Sequence, residues 1–177
     1  MFRYIRNIAI VAMVFAFTAQ VSNAQVASSV SANAEVKTAL TLALAPGTLI
    51  NFGTLSATTS GTIVLDANGA TGNANTGSTT NVARFDVTAA NSAITIKYDP
   101  TVTLTCSTAA TTMTMTSEVV GALLSTSQPT AVGITSGNTI TPTSGVYYIW
   151  VGGTIPTLTT KESGVYSGTF HINAEYN

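Results

Sequence analysis

The chain has 177 residues, 45% of them hydrophobic and only 7% charged, with six Lys or Arg against seven Asp or Glu and a formal net charge of −1. Ordinary domains carry about 25% charged residues; here Thr, Ser, Ala and Gly fill the gap, and the scattered cations form no basic patch, which argues against nucleic acid and against a polybasic membrane contact as partners. A single cysteine, Cys106, excludes an intramolecular disulfide, so core packing must hold the fold.

Arg3 and Arg6 precede an apolar run from Ile8 to Phe17, and Ser22-Asn23-Ala24 places small residues at a cleavage site. At about ten residues the run is too short to span a bilayer, so Met1–Ala24 reads as a signal peptide rather than a retained anchor. The mature chain then starts at Gln25 and has 153 residues, enough for one domain with a core. It keeps four bases (Lys37, Arg84, Lys97, Lys161) and seven acids, a net −3, and has no later stretch long enough for a membrane helix. A surface so poor in charge barely repels its neighbours. It suits a protein that associates with its own copies, and equally a solvated Thr-rich sandwich.

From Gln25 the sequence alternates with period two. Val26, Val30, Ala32, Ala34 and Val36 share one parity, and Ser, Asn, Glu and Lys dominate the other. Gln25–Thr38 is therefore expected to be extended and one-sided, either as an N-terminal extension or as the first strand of the sheet, because the parity runs on into Leu40, Leu42 and Leu44. In Ala39–Asn177 further strands are expected at Ile50–Leu55, Gly61–Asp66, Val82–Thr88, Ala93–Tyr98, Thr101–Cys106, Thr112–Val120, Val146–Val151 and Val165–Tyr176. Gly, Asn, Asp and Pro separate them, as at Pro46-Gly47, Asn68-Gly69 and Asp99-Pro100. Ala70–Thr80 reads as loop, and Gln128–Thr143 as loop with room for one short edge strand. No helical period follows the signal, so the expected fold is all-β, a sandwich or barrel. Tyr166, Gly168, Phe170, Ile172, Ala174 and Tyr176 form one apolar face up to the penultimate residue, and no sequence remains to cover the far edge of that strand. An open edge is a template for another chain.

Residues for chemistry are sparse. His171 falls on the polar face of the last strand, with no second His, and no Cys or carboxylate cluster has metal-ligand spacing. Gly72–Gly77 and Gly152-Gly153 lack the Lys-Ser/Thr pair and helix of a phosphate loop, and Asp66 with Asn68 lacks the remaining ligands of a calcium loop. No cofactor is expected. Cys106 shares parity with Val102 and Leu104 and is read as a small core residue, with a reactive thiol as the alternative. Trp150 and Tyr148 share a face and are read as core rather than as a sugar-stacking platform. Convergence of Asp86, Asp99 and Glu118 is what a secreted enzyme would require.

Gly164 is fourteenth from the end and Tyr176 is penultimate, with an alternating strand between them. This resembles the C-terminal signature of pilins assembled by the chaperone–usher route. The whole mature chain, through Phe52-Gly53-Thr54-Leu55, Val151-Gly152-Gly153-Thr154 and Gly164-Val165-Tyr166-Ser167-Gly168, is also similar to a family of short exported bacterial β-domains of largely uncharacterised function. The pilin resemblance implies an immunoglobulin-like sandwich lacking its final strand. A periplasmic chaperone and an outer-membrane usher would be its partners, and copies of itself would join it in a polymer at the cell surface. It implies Val26, Val30, Ala32, Ala34 and Val36 as a donor strand. It implies Gly164, Tyr166, Phe170, Ile172, Ala174 and Tyr176 as the receiving groove, with the carboxylate of Asn177 held by the chaperone. Having only Cys106, the chain departs from the many such pilins that carry a disulfide. The competing expectation is a self-complete secreted sandwich that binds a surface ligand such as carbohydrate through Tyr147 or Tyr148.

Overall fold

Alternating Thr, Val and Ile favour pleated backbone, and the structure, a computed structural model, turns nearly all of that alternation into strands. It describes residue 31 and residues 33–177, so the signal segment lies outside the described residues, as do Val26, Val30 and Ala32. The strands are β1 (Thr41–Leu44), β2 (Ile63–Leu65), β3 (Ala83–Thr88), β4 (Ile94–Tyr98), β5 (Thr101–Cys106), β6 (Thr112–Ala122), β7 (Val132–Gly133), β8 (Thr139–Ile140), β9 (Val146–Ile155), β10 (Tyr166–Ser167) and β11 (Ile172–Tyr176). The fold is all-β and sandwich-like. One sheet runs β1-β3-β9-β6-β5-β10, with β2 added to β9 and β7 to β6; the other runs β11-β4-β8. Every pairing is antiparallel.

The core divides into two main clusters, of which only the first joins side chains of both sheets. One gathers Val87, Ile94, Ile96, Val119, Ile149 and Val151. The second gathers Phe52, Ile63, Leu65, Val102, Met113, Met115, Ile155 and Leu158. Trp150 lies on the outer face of β9, buried with Ala67 and Val120 and flanked by Tyr148. Cys106 is buried, as its parity suggested.

Two expected strands behave differently. Ile50–Leu55 forms only an isolated bridge, Asn51 to Asn81. Gly53 sits at φ +81 against Gly77, where a Cβ would come 2.8 Å from the Gly77 Cα, and the left-handed turn ends the strand. Val165–Tyr176 splits into β10 and β11. The strand beside it switches sheets at Asp99-Pro100, so β10 follows β5 in one sheet and β11 follows β4 in the other. Pro100 has no N–H to donate to the ladder. Asp99 closes the resulting bulge. Its N–H donates to the His171 carbonyl (3.0 Å), and its Oδ2 accepts the His171 N–H (3.0 Å) and lies 2.7 Å from His171 Nδ1.

Candidate functional site

The last ten or so residues of the chain alternate without interruption, yet the fold treats their two halves differently. Ile172, Ala174 and Tyr176 pair with β4 along all of β11 and pack on the first cluster, where Leu40 and Leu42 of the β1 region also pack. The chain's own β1 therefore covers this half. Asn177 is fixed too: its N–H donates to the Ala93 carbonyl (3.3 Å), and its side chain bonds to Thr95 and Thr139.

The other half borders an open groove of about 910 Å³. One wall runs from Gly164 to Phe170, and the facing wall from Leu44 and Leu49 through Phe52 to Leu55. The floor is Val102, Leu104, Met113, Met115, Ile155 and Leu158. Among the described residues, Lys161 and Glu162 are its only charged lining residues, and both belong to the Gly164 end. β10 is the last strand of its sheet, so among the described residues no strand pairs with its outer edge. Leu44 is 52% exposed, Leu49 51% and Val165 70%, so the rim presents large apolar side chains to solvent. Single exposed apolar residues are ordinary; several lining one concavity are not.

Local chemistry shapes this wall. Gly164 lets the chain lie directly on Cys106: a Cβ there would come 2.4 Å from the thiol sulfur and 2.7 Å from Thr108 Oγ1. The neighbouring Thr108 hydroxyl holds the Cys106 thiol below its ordinary pKa. Tyr166 shares a hydrogen bond with Thr111 Oγ1 (2.9 Å) and donates to the Glu162 carbonyl (3.0 Å), which pins the Gly164 end. Phe170 stands at the boundary of the two halves, 6.4 Å from the Phe85 ring and 6.1 Å from Tyr98.

Of the expected groove residues, Gly164, Tyr166 and Phe170 line this space. Ile172, Ala174 and Tyr176 do not; they pack on the first cluster together with Leu40 and Leu42. Of the expected donor residues, Ala34 and Val36 are exposed and the others lie outside the described residues. Reading the sequence missed the facing wall. Leu44 continues the alternation of Leu40 and Leu42, and Leu49 lies beyond Pro46-Gly47 on no such pattern. The remaining candidates are scattered. Asp86 pairs with Arg84 through two bonds (2.8 and 3.1 Å), Glu118 accepts the Ala67 N–H (3.0 Å) and Asp99 takes His171, so the three carboxylates have three separate partners. Asp66 caps its own turn through the N–H groups of Asn68 and Gly72. Among the described residues no three His, Cys, Asp or Glu gather as metal ligands. Tyr147 packs into the core and Tyr148 lies on the opposite face beneath Arg84, so the two form no common aromatic patch. Burial raises the Tyr147 pKa.

Residues 40–176 match the model of a family described as a domain of unknown function (DUF4402). No curated protein matches the chain.

Proposed function

The chain belongs to the DUF4402 family, and we propose that it is an exported structural subunit that polymerises by accepting an extended strand from the next copy, as pilins of the chaperone–usher route do. The observation that carries this reading is the apolar groove beside the unpaired edge of β10. The occupant is the alternating N-terminal extension of a second copy, with Val26, Val30, Ala32 and Ala34 facing the floor. Its composition complements the receiver: a nearly uncharged groove meets a nearly uncharged strand. In the periplasm a chaperone would occupy the same groove, and an outer-membrane usher would exchange it for the next subunit.

The energetics suit a durable joint. Each added main-chain hydrogen bond contributes about 1 kcal/mol net, and each large apolar side chain about 1.5–3 kcal/mol on burial. Ordering the incoming strand offsets much of this. The groove, however, is continuous with the core cluster of Met113, Met115 and Ile155, so an occupant completes a core rather than touching a surface.

Deletion of residues 25–36 tests the reading. Lys37 and Thr38 stay in place because they bond to the folded domain. The deleted chain is expected to fold and be exported but to form no polymers under the electron microscope. Polymers that persist overturn the proposal.

A further inference from the structure

The hairpin of β5 and β6 divides its alternation between two faces. Its inward residues Val102, Met113 and Met115 belong to the groove floor. Its outward residues are threonine at every position of the paired stretch: Thr101 lies opposite Thr116, Thr103 opposite Thr114, and Thr105 opposite Thr112. All six are exposed. Neighbouring strands prolong two of these rows, since Ser167 of β10 lies opposite Thr105 and Thr154 of β9 opposite Thr116. Among the described residues none of the six hydroxyls is bonded within the chain. We propose that this face binds ice, its two registered columns of three threonines holding the ordered water of a crystal surface. The inference goes beyond the donor-strand reading and does not depend on it.

Spacing comes first. Neighbouring strands lie about 4.8 Å apart, and residues i and i+2 of one strand about 6.7 Å apart. Threonines in register therefore set their hydroxyls on a near-rectangular net, whose two repeats lie near the oxygen repeats of a prism face of hexagonal ice. Stiffness comes second. Threonine is β-branched and restricted at χ1, and the backbone beneath it is laddered on both sides, β5 between β10 and β6, and β6 between β5 and β9. A net fixed in advance loses little freedom on docking. The third property is chemical. Each hydroxyl both donates and accepts, as each water in the lattice does, and each methyl offers an apolar surface beside it. Among the described residues charge stands only at the borders of the net: Glu118 accepts the Ala67 N–H (3.0 Å), Lys161 donates to the Thr112 carbonyl (2.8 Å), and Asp99 is bonded to His171. Other occupants fit less well. Protein interfaces are anchored by aromatic residues, Met and Arg, and the net has none of them. A polysaccharide surface calls for aromatic faces on which sugar rings stack, and Trp150, on the same side of the sheet, is buried with Ala67 and Val120.

Ice itself is the probe. A hemisphere of ice is grown slowly from a stirred solution of the purified mature chain, and the protein in the ice is compared with that left in the liquid. The wild-type chain is expected to be enriched in the ice, from which serum albumin is rejected. Thr103→Lys puts an ammonium group at the centre of the net and is expected to lower the enrichment by more than about fivefold, because that group would have to shed its hydration shell against the lattice. Thr126→Lys makes the same change on an exposed threonine beyond the far end of β6 and is expected to leave the enrichment unchanged. Thr103→Ser is the gentler variant for folding. It keeps the hydroxyl but frees χ1, and is expected to lower the enrichment by about twofold. Thermal denaturation verifies that each variant is folded. Rejection of the wild-type chain from ice overturns the proposal, and so does equal enrichment of Thr103→Lys and wild type. Retention on microcrystalline cellulose together with rejection from ice overturns it in favour of a polysaccharide.

Discussion

The two halves of the C-terminal strand share one sequence pattern and have different fates. β11 presents Ile172, Ala174 and Tyr176 to a core that the chain's own β1 covers. β10 and its flanks present Tyr166 and Phe170 to a groove that no described residue fills. Alternation is a statement about which side chains want burial, not about which molecule supplies the cover. The apolar face runs through both halves, and the change of cover comes where the neighbouring strand leaves one sheet for the other at Asp99-Pro100. Among the described residues β10 and β11 both lie at the edge of their sheets, so the two halves differ in what packs on their inner faces rather than in their edges.

The largest expected effect separates the two halves by stability. Ile96 is wholly buried under the covered half, and Ile96→Ala is expected to cost about 2–5 kcal/mol. Leu104 is half-buried on the groove floor, and Leu104→Ala is expected to cost only about 1 kcal/mol in the isolated chain, with a larger loss once the groove is filled. Thermal denaturation of the two variants measures the contrast. Equal losses in the isolated chain would mean that the groove is sealed in solution, and the comparison would collapse.

A smaller effect concerns the wall. Gly164→Ala forces a Cβ towards the Cys106 sulfur, with contact at 2.4 Å unless something moves. Overpacking of this kind costs about 1–3 kcal/mol. Cys106→Ala removes the obstructing sulfur, so the double variant is expected to be more stable than the sum of the single losses predicts, and a thermodynamic cycle gives that coupling directly. Additive losses would mean that the strand at Gly164 lifts away from β5 instead of pressing on it, which would widen the open half still further.

Most strands were legible in the sequence because their cause is local: β-branched residues in period two, bounded by Gly, Asn and Pro, as in β3, β4, β5 and β6. The inward parity of Tyr166 and Phe170 was legible for the same reason. What could not be read depends on distant partners. Ile50–Leu55 alternates like a strand, but Gly77, twenty-odd residues on, presses on Gly53 and turns the chain. Leu44 alternates with Leu40 and Leu42 as a core residue would, and only the fold places it, with Leu49, on an exposed rim. Beyond Phe170 the face packs with Leu40 and Leu42, over a hundred residues away along the chain. Single-sequence periodicity carries no term for such contacts: it placed Tyr166, Gly168, Phe170, Ile172, Ala174 and Tyr176 on one apolar face, and the fold divides that face between two surroundings.

The smallest effect tests the boundary between the halves. His171, through its ring nitrogen first and its backbone N–H second, holds the Asp99 carboxyl below its ordinary pKa. A carboxylate whose folded value is depressed contributes stability that is complete above the unfolded value, about 3.9, and is lost as pH falls through the folded value. Acid should therefore loosen the bulge without touching the core of either half. Asp99→Asn keeps the size of the side chain and removes the titration, so it is expected to destabilise slightly at neutral pH and to flatten the decline in stability below pH of about 4. Amide exchange at Ile172 and Ser167 distinguishes the halves during this titration. Loosening at the bulge should raise exchange in β10, which has two ladder pairs, before β11, which has five. The reverse order would mean that the covered half, rather than the open one, is the weaker end of the strand.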